Sequence, residues 1–144
     1  MFTVDTNVLV YAMDTAAPLH LPCRRAVEHW RAQTSAWFLS WGVVYEFLRV
    51  CTHPRVLARP LTAAQAWSFV ESLLCSPGLR MLAATDRHGE VAGEVMGELP
   101  HLAGNIMHDA ETAILMREHG VRRIYTRDMD FHRFPFLEVI DPAV

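Results

Sequence analysis

The chain has 144 residues, of which 51% are hydrophobic and 20% are charged, a composition typical of one globular domain with a sizeable core. This balance excludes a disordered chain, and no apolar run approaches the roughly 20 residues of a membrane-spanning helix. The formal net charge of −3 argues against a protein that binds nucleic acid by positive charge alone, although cations bound to a cluster of its acids would leave a mildly basic surface.

In chain order, the first half of the sequence predicts two strands, each followed by helices. Short apolar runs indicate the strands, and periodic apolar positions indicate the helices. The predicted elements are a strand at residues 2–4, helices at residues 7–13 and 20–33, a strand at residues 36–39 and a helix from residue 40 to about residue 51. Thr6 and Ser40 are predicted to cap the first and third helices, because a hydroxyl oxygen can accept a hydrogen bond from the first helical turn.

The second half predicts three further helices and three further strands. They are a helix at residues 62–74, a strand at 79–83, helices at 86–99 and 107–119, and strands at 123–126 and 137–140. Thr62 and Gln65 have the spacing of a capping box, and Asp86 is predicted to cap the glycine-containing helix that follows it. Gly120 is predicted to end the helix before the fourth strand.

Strands that alternate with helices predict parallel βαβ units and one α/β domain over residues 1–144. In such open sheets, ligands bind outside the carboxyl ends of the strands, near the point where the strand order reverses. Asp5 ends the first predicted strand, and Asp128 stands at the end of the fourth. Both carboxylates are therefore expected at this edge of the sheet.

Two further acids lie on predicted helices beside apolar positions. Glu46 falls on the shoulder of the buried face of its helix, whereas Arg49 falls on the far, solvated side. Asp109 flanks the buried face near the start of its helix, where the helix dipole also favours an acid. Each acid taken singly has an ordinary structural explanation, such as a turn, a cap or a solvated surface. The prediction of a site depends on the set.

Four carboxylates at one sheet edge would repel one another unless a cation offset their charge. Oxygen ligands suit Mg²⁺ or Mn²⁺, and carboxylate clusters that hold such ions are a recurring solution for phosphodiester cleavage. The sequence therefore predicts metal-binding and catalytic roles for Asp5, Glu46, Asp109 and Asp128. Asp130, two residues after Asp128, is either a further acid of the metal site or a cap of the turn.

Four segments in this order, VDTNVLVYA, VVYEFLRV, NIMHDAETA and IYTRDMDF, make the chain similar to PIN-domain ribonucleases, in particular the VapC-type toxins of bacterial toxin–antitoxin pairs. The resemblance covers essentially the whole chain. It implies a three-layer α/β/α domain around a mainly parallel sheet of about five strands. It maps the family's acids onto the same four residues, with Asp130 as an accessory acid and with Thr6, Asn7 and Thr126 as supporting polar residues.

The resemblance also implies an activity and partners. The activity is Mg²⁺- or Mn²⁺-dependent hydrolysis of RNA, with 5′-phosphate and 3′-hydroxyl products. One expected partner is a small antitoxin whose C-terminal segment blocks the acidic site with a basic side chain. A homodimer is expected as well, and exposed aromatic residues would be compatible with it.

Two other functions are compatible with parts of the sequence. A PIN-like subunit that binds RNA or protein without cleavage would share the fold, and metal dependence distinguishes it from a nuclease. A phosphatase of the haloacid-dehalogenase type also begins with an apolar strand that ends in Asp, but the second Asp of its motif is Asn7 here. The histidines show no zinc-site spacing.

The three cysteines, Cys23, Cys51 and Cys75, are widely spaced and odd in number. This pattern predicts free thiols in a reducing compartment. The N-terminal residues lack the basic and apolar regions of an export signal. A cytoplasmic location without membrane attachment is therefore expected.

Overall fold

Five strands and six helices alternate along the chain in the computed structural model, which describes residues 1–144. The strands are β1 (Phe2–Val4), β2 (Trp37–Ser40), β3 (Leu79–Leu82), β4 (Arg123–Tyr125) and β5 (Glu138–Ile140). The helices are α1 (Thr6–Met13), α2 (His20–Ala32), α3 (Trp41–Thr52), α4 (Ala63–Leu74), α5 (His88–Glu98) and α6 (Ile106–Glu118), and a short 3₁₀ helix spans Met129–Arg133. All predicted elements are present, and the 3₁₀ helix is additional.

The five strands form one parallel sheet with the order β3-β2-β1-β4-β5. Thr3 of β1 pairs with Phe38 of β2 on one side and with Ile124 of β4 on the other. The strand order reverses between β1 and β4, because the chain runs outward from β1 to β3 and then returns to the other side of β1. The carboxyl ends of β1 and β4 therefore form the switch point at which open α/β sheets bind ligands.

Helices cover both faces of the sheet, which confirms the predicted three layers. On one face, Trp37 and Leu39 of β2 belong to an 18-residue core cluster with α1, α2, α3 and α4. On the other face, Phe38 packs against a second cluster, which contains Ile124 and residues of α6. This alternation along β2 follows from the two-residue period of a strand. None of the six helices combines the length and the apolar character that a membrane crossing requires.

Two predicted helix caps are confirmed, and so is one helix end. Ser40 Oγ accepts a hydrogen bond from Val43 N–H at 3.1 Å, at the start of α3. Thr62 and Gln65 form both hydrogen bonds of a capping box at the start of α4. After α6, Gly120 has a φ of +67°, a conformation that a residue with a Cβ rarely adopts.

The predicted caps of α1 and α5 were wrong. Asp5 is the cap of α1, since its Oδ1 accepts a hydrogen bond from Thr6 N–H, and Thr6 is the first helical residue. Asp86 caps nothing, because α5 begins only after Arg87 and has no side-chain cap. The hydroxyl of Thr85 accepts a hydrogen bond from Arg87 N–H instead, which extends the turn before the helix. The competing carboxylate and hydroxyl groups stand one residue apart, so the sequence pattern alone does not separate them.

The cysteines behave as predicted within the fold. All three are free, with Cys23 and Cys51 buried and Cys75 exposed. Burial raises the pKa of Cys51 to about 11, so this thiol stays protonated and unreactive at neutral pH.

Candidate active site

Asp5 lies at the junction of β1 and α1, where three donors hold its carboxylate. Oδ1 accepts a hydrogen bond from Thr6 N–H at 2.7 Å. Oδ2 accepts hydrogen bonds from Asn7 Nδ2 at 2.9 Å and from Thr126 Oγ1 at 2.6 Å. The carboxylate is therefore oriented both by its own helix and by the segment that follows β4.

Burial raises the pKa of Asp5 above its ordinary value, and the nearby carboxylates of Asp128 and Glu46 add to the rise. The hydrogen bonds from Thr126 and Thr6 act in the opposite direction. These donors favour the ionised form and offset part of the free energy required to hold a buried negative charge.

The hydroxyl of Thr126 links Asp5 to the segment after β4. This residue is only 1% exposed. Its Oγ1 donates to Asp5, and it accepts hydrogen bonds from Asn7 Nδ2 at 3.0 Å and from Asp128 N–H at 2.9 Å. One hydroxyl has one hydrogen and two lone pairs, so its hydrogen-bonding capacity is fully used. Thr126 therefore sets the position of Asp5, Asn7 and Asp128 relative to one another.

Asp109, Asp128 and Asp130 form an acidic group whose carboxylate oxygens lie within 4.8 Å of one another. Asp109 stands in the first turn of α6, and Asp128 caps the 3₁₀ helix by accepting a hydrogen bond from Asp130 N–H at 2.8 Å. Asp128 thus both caps a turn and contributes to the site. The structure places Asp130 in the same group, although its position in the sequence suggested only an accessory role.

Crowding of these carboxylates perturbs Asp109 most. Burial is the largest cause that raises the pKa of Asp109 to about 7, followed by the charges of Asp5, Asp128 and Asp130, whereas His108 lowers it. Asp109 is half-buried, and no hydrogen-bond donor contacts its carboxylate. A bound cation would offset this repulsion.

The pKa of Asp109 predicts a measurable effect on stability. Because the pKa rises from 3.8 to about 7 on folding, the folded protein binds more protons than the unfolded chain between these pH values. Its stability therefore falls as the pH rises through this window. In EDTA at about pH 8, we expect Asp109→Asn to increase the free energy of unfolding by about 1–2 kcal/mol, a value discounted for solvent screening.

Urea denaturation at about pH 8 and about pH 5 measures this effect, and the gain should be smaller at the lower pH. Asp14→Asn is the matched control, because Asp14 lines the same cleft without belonging to the acidic group. An Asp109→Asn variant that is less stable than the unaltered protein at the higher pH would contradict the prediction.

Glu46 faces the same cleft but is paired with Arg49. Arg49 Nη2 donates to Oε1 at 2.6 Å, and Arg49 Nε donates to Oε2 at 3.0 Å. These hydrogen bonds are the largest cause that lowers the pKa of Glu46. Arg49 is solvated as predicted. It does not lie on the far side of α3 from Glu46, however, since residues three apart are neighbours on a helix surface. Glu46 is consequently not part of the group formed by the three aspartates.

All these acids line one open cleft of about 920 Å³, large enough for a ligand of several nucleotide-sized groups. Its lining also includes apolar residues, among them Val10, Val50, Val56 and Leu57. Three charged lining residues were missed as site candidates: Asp14, Arg49 and Glu111. The spacing of Arg49 from Glu46 was a usable signal, whereas nothing in the sequence pattern singles out the other two.

Comparisons with known proteins identify the family and support the fold. The family model described as PIN domain matches residues 2–137. Ribonuclease VapC48 of Mycobacterium tuberculosis is 33% identical over 140 residues, which cover 97% of this chain and 96% of that protein. The crystal structure of M. tuberculosis VapC20, described as a Sarcin-Ricin loop cleaving toxin, is similar with a TM-score of 0.70 and 20% identity, covering 98% of this chain and 100% of the other. A chain of Rickettsia felis VapBC2, solved with a DNA fragment from their promoter, is similar with a TM-score of 0.69 and 18% identity, covering 96% of both chains.

Proposed function

Because this chain belongs to the PIN-domain family, we propose that it is an endoribonuclease that uses Mg²⁺ or Mn²⁺ to hydrolyse RNA phosphodiester bonds, and that it is the toxin of a toxin–antitoxin pair. The observation that carries the proposal is the convergence of Asp109, Asp128 and Asp130 beside Asp5 at the switch point of the sheet. The ribonuclease name of VapC48 and the description of VapC20 as a Sarcin-Ricin loop cleaving toxin support it.

The donor set fits a hard divalent cation. Asp109, Asp128 and Asp130 supply only oxygen ligands, and Asp5 adds another carboxylate in the same cleft. Such a set suits Mg²⁺ or Mn²⁺ and lacks the nitrogen and sulfur ligands typical of zinc sites. When bound, the ion would activate a water molecule for attack on phosphorus and offset the charge that develops on the phosphate.

The chain's own groups prepare the site for this chemistry. Thr126 and Asn7 donate to Oδ2 of Asp5 and Thr6 N–H donates to Oδ1, so the carboxylate needs little reorganisation when a ligand binds. Asp109 exchanges a proton near neutral pH, and a cation would favour its ionised form. Glu46 stays a proposed ligand of the ion, although its carboxylate must first leave Arg49.

Incubation of the purified protein with a mixture of RNAs tests the function. We expect cleavage that requires Mg²⁺ or Mn²⁺, that EDTA abolishes and that leaves 5′-phosphate and 3′-hydroxyl ends. A chromogenic phosphomonoester should remain intact. RNA that binds without being cut in either metal would favour the non-catalytic subunit, and hydrolysis of the monoester alone would favour the phosphatase.

Two protein partners belong to the proposal. The acidic cleft fits a basic side chain of a cognate antitoxin, and the VapBC2 structure, which contains a chain of the same fold, supports such a partner. Trp41 and Tyr45 of α3 are 43% and 67% exposed, which supports a homodimer through this aromatic surface. The lack of a small gene beside this one would contradict the toxin role but not the nuclease activity. A monomer in light scattering would contradict the dimer.

We also propose a cytoplasmic location for this activity. The RNA substrate and the three free cysteines, two of them buried, support it.

A further inference from the structure

The acidic cleft contains one strongly basic side chain. Seven acidic residues line it, whereas Arg49 is its only arginine, and the chain contains no lysine. Other arginines near the carboxyl edge are engaged elsewhere. Arg127 Nη1 donates to Asp141 at 2.7 Å, Arg133 Nη2 donates to His101 O at 3.4 Å, and neither lines the cleft. A polyanion that enters the cleft therefore meets one group able to attract its phosphates.

Arg49 is held by an acceptor of the same shape as a phosphate. Its Nη2 and Nε donate to the two oxygens of Glu46 as a bidentate fork, and a guanidinium binds two phosphate oxygens in the same manner. The side chains of Arg49 and Glu46 are 60% and 47% exposed, so solvent and ligands can reach both. An exposed pair within one helical turn is weakly stabilised, so its partners can exchange readily.

Glu46, like Asp5, is a predicted metal-site acid that stands outside the group of Asp109, Asp128 and Asp130. Its two oxygens are both occupied by the fork of Arg49. Each partner of this ion pair therefore occupies the hydrogen-bonding groups with which the other could contact a ligand. Release of one partner releases the other.

We propose that Arg49 binds a phosphate of the RNA and that Glu46 holds the guanidinium until the RNA arrives. The two hydrogen bonds of Arg49 pass from the Glu46 carboxylate to two phosphate oxygens, and the freed carboxylate becomes available to the acidic group. This inference rests on the proposed function, because RNA is the ligand that triggers the exchange. It makes the Glu46–Arg49 pair a device that completes the site only when substrate is present.

A double-mutant cycle on RNA binding tests the exchange without any turnover. Binding of a fluorescein-labelled single-stranded RNA is measured by anisotropy in EDTA for the unaltered protein, Glu46→Gln, Arg49→Ala and the double variant. We expect Arg49→Ala to weaken binding about fivefold and Glu46→Gln to strengthen it about fivefold. In the Arg49→Ala background, Glu46→Gln should give only the small gain of a lost negative charge.

Matched controls distinguish the exchange of Arg49 from Glu46 to a phosphate from the general effect of removing a charge from the cleft. Glu111→Gln removes the same charge from the same cleft, and no arginine pairs with Glu111. The pair Arg87–Glu90 has the same spacing at the start of α5 but lies outside the cleft, so the corresponding cycle there should leave RNA affinity unchanged. Arg49→Lys keeps the charge without the fork and should recover only part of the affinity. Between about 50 and 200 mM salt, Arg49→Ala in the Glu46→Gln background should reduce the salt slope by about 0.7.

The outcomes are distinct. An equal gain from Glu46→Gln with and without Arg49 would overturn the exchange, since Glu46 would then act only as a negative charge. An unchanged affinity of Arg49→Ala, or undetectable RNA binding by both the unaltered protein and Glu46→Gln, would overturn the phosphate contact. Circular dichroism verifies that each variant is folded. The proposed function fails separately, if the unaltered protein leaves RNA intact in Mg²⁺ and Mn²⁺ while the binding cycle still shows the coupling.

Discussion

Replacement of Asp5 by Asn is expected to lower the rate of metal-dependent RNA cleavage by about 100-fold or more. The substitution removes the negative charge at the junction of β1 and α1 and presents an amide nitrogen to two of the three donors that now contact the carboxylate. The helix cap is expected to survive, since Asn caps helices about as well as Asp.

Two opposing effects should keep the Asp5→Asn variant folded. The variant loses the acceptor at Oδ2, to which Asn7 and Thr126 both donate. It also no longer buries a charge, and the raised pKa of Asp5 shows that burial disfavours the ionised form. The lost acceptor lowers the free energy of unfolding by about 1–2 kcal/mol, and relief of the buried charge opposes this loss, so the melting temperature should change by only a few degrees.

The test compares the unaltered protein with Asp5→Asn in two measurements, the rate of RNA cleavage at saturating Mg²⁺ and the melting temperature. Asp14→Asn is the control, since Asp14 stands at the opposite end of α1 and lines the same cleft. It should retain cleavage within a few-fold. A folded Asp5→Asn variant with full metal-dependent activity would refute the site.

Replacement of Thr126 by Val is expected to reduce both stability and cleavage. Valine has the same shape but leaves Asp128 N–H and one hydrogen of Asn7 Nδ2 without the acceptor they now share. It also removes a donor from Asp5, whose pKa should rise further. Buried polar groups left unpaired predict a loss of about 2–3 kcal/mol in the free energy of unfolding. We expect cleavage to fall about tenfold.

Thr126→Ser distinguishes the contribution of the hydroxyl from the contribution of the methyl group. Serine keeps the oxygen that makes all three hydrogen bonds and should restore most of the cleavage. The pH profile of cleavage gives a second measurement. Its acidic limb should move to higher pH in Thr126→Val, because Asp5 ionises less readily without the hydroxyl. A larger loss in Thr126→Ser than in Thr126→Val would show that Thr126 acts through packing of its methyl group.

Much of the fold follows from patterns within a few residues of each other. The short apolar runs at the strands and the periodic stripes of the helices are local features, and strict alternation of the two leads to a parallel sheet. The resemblance to PIN-domain proteins supplied the three layers and about five strands, which the structure confirms. The ends of elements and two caps were less well predicted, because Asp5 and Thr6 stand next to each other and either could cap α1.

The residues of the candidate site were also predictable only in part. Asp5 and Asp128 could be placed at one edge because each ends a predicted strand, and parallel strands bring their carboxyl ends together. Asp109 followed only from the set of acids and from the resemblance, because an acid in the first turn of a helix has an ordinary structural explanation. The pairing of Glu46 with Arg49 is also local, and it was missed because the buried face of α3 was weighed more heavily than the spacing of the two charges.

Sequence alone therefore determined the order of the elements, the edge of the sheet that carries the acids and the identity of most of these acids. Tertiary structure decided how they act together. The hydroxyl of Thr126 reaches Asp5 across 121 positions of the chain, Asp130 joins Asp109 in one group, and crowding moves the pKa of Asp109 to about 7. Local patterns encode periodicity and capping, whereas hydrogen bonds and repulsion between distant residues depend on distances of a few ångströms that exist only in the folded chain.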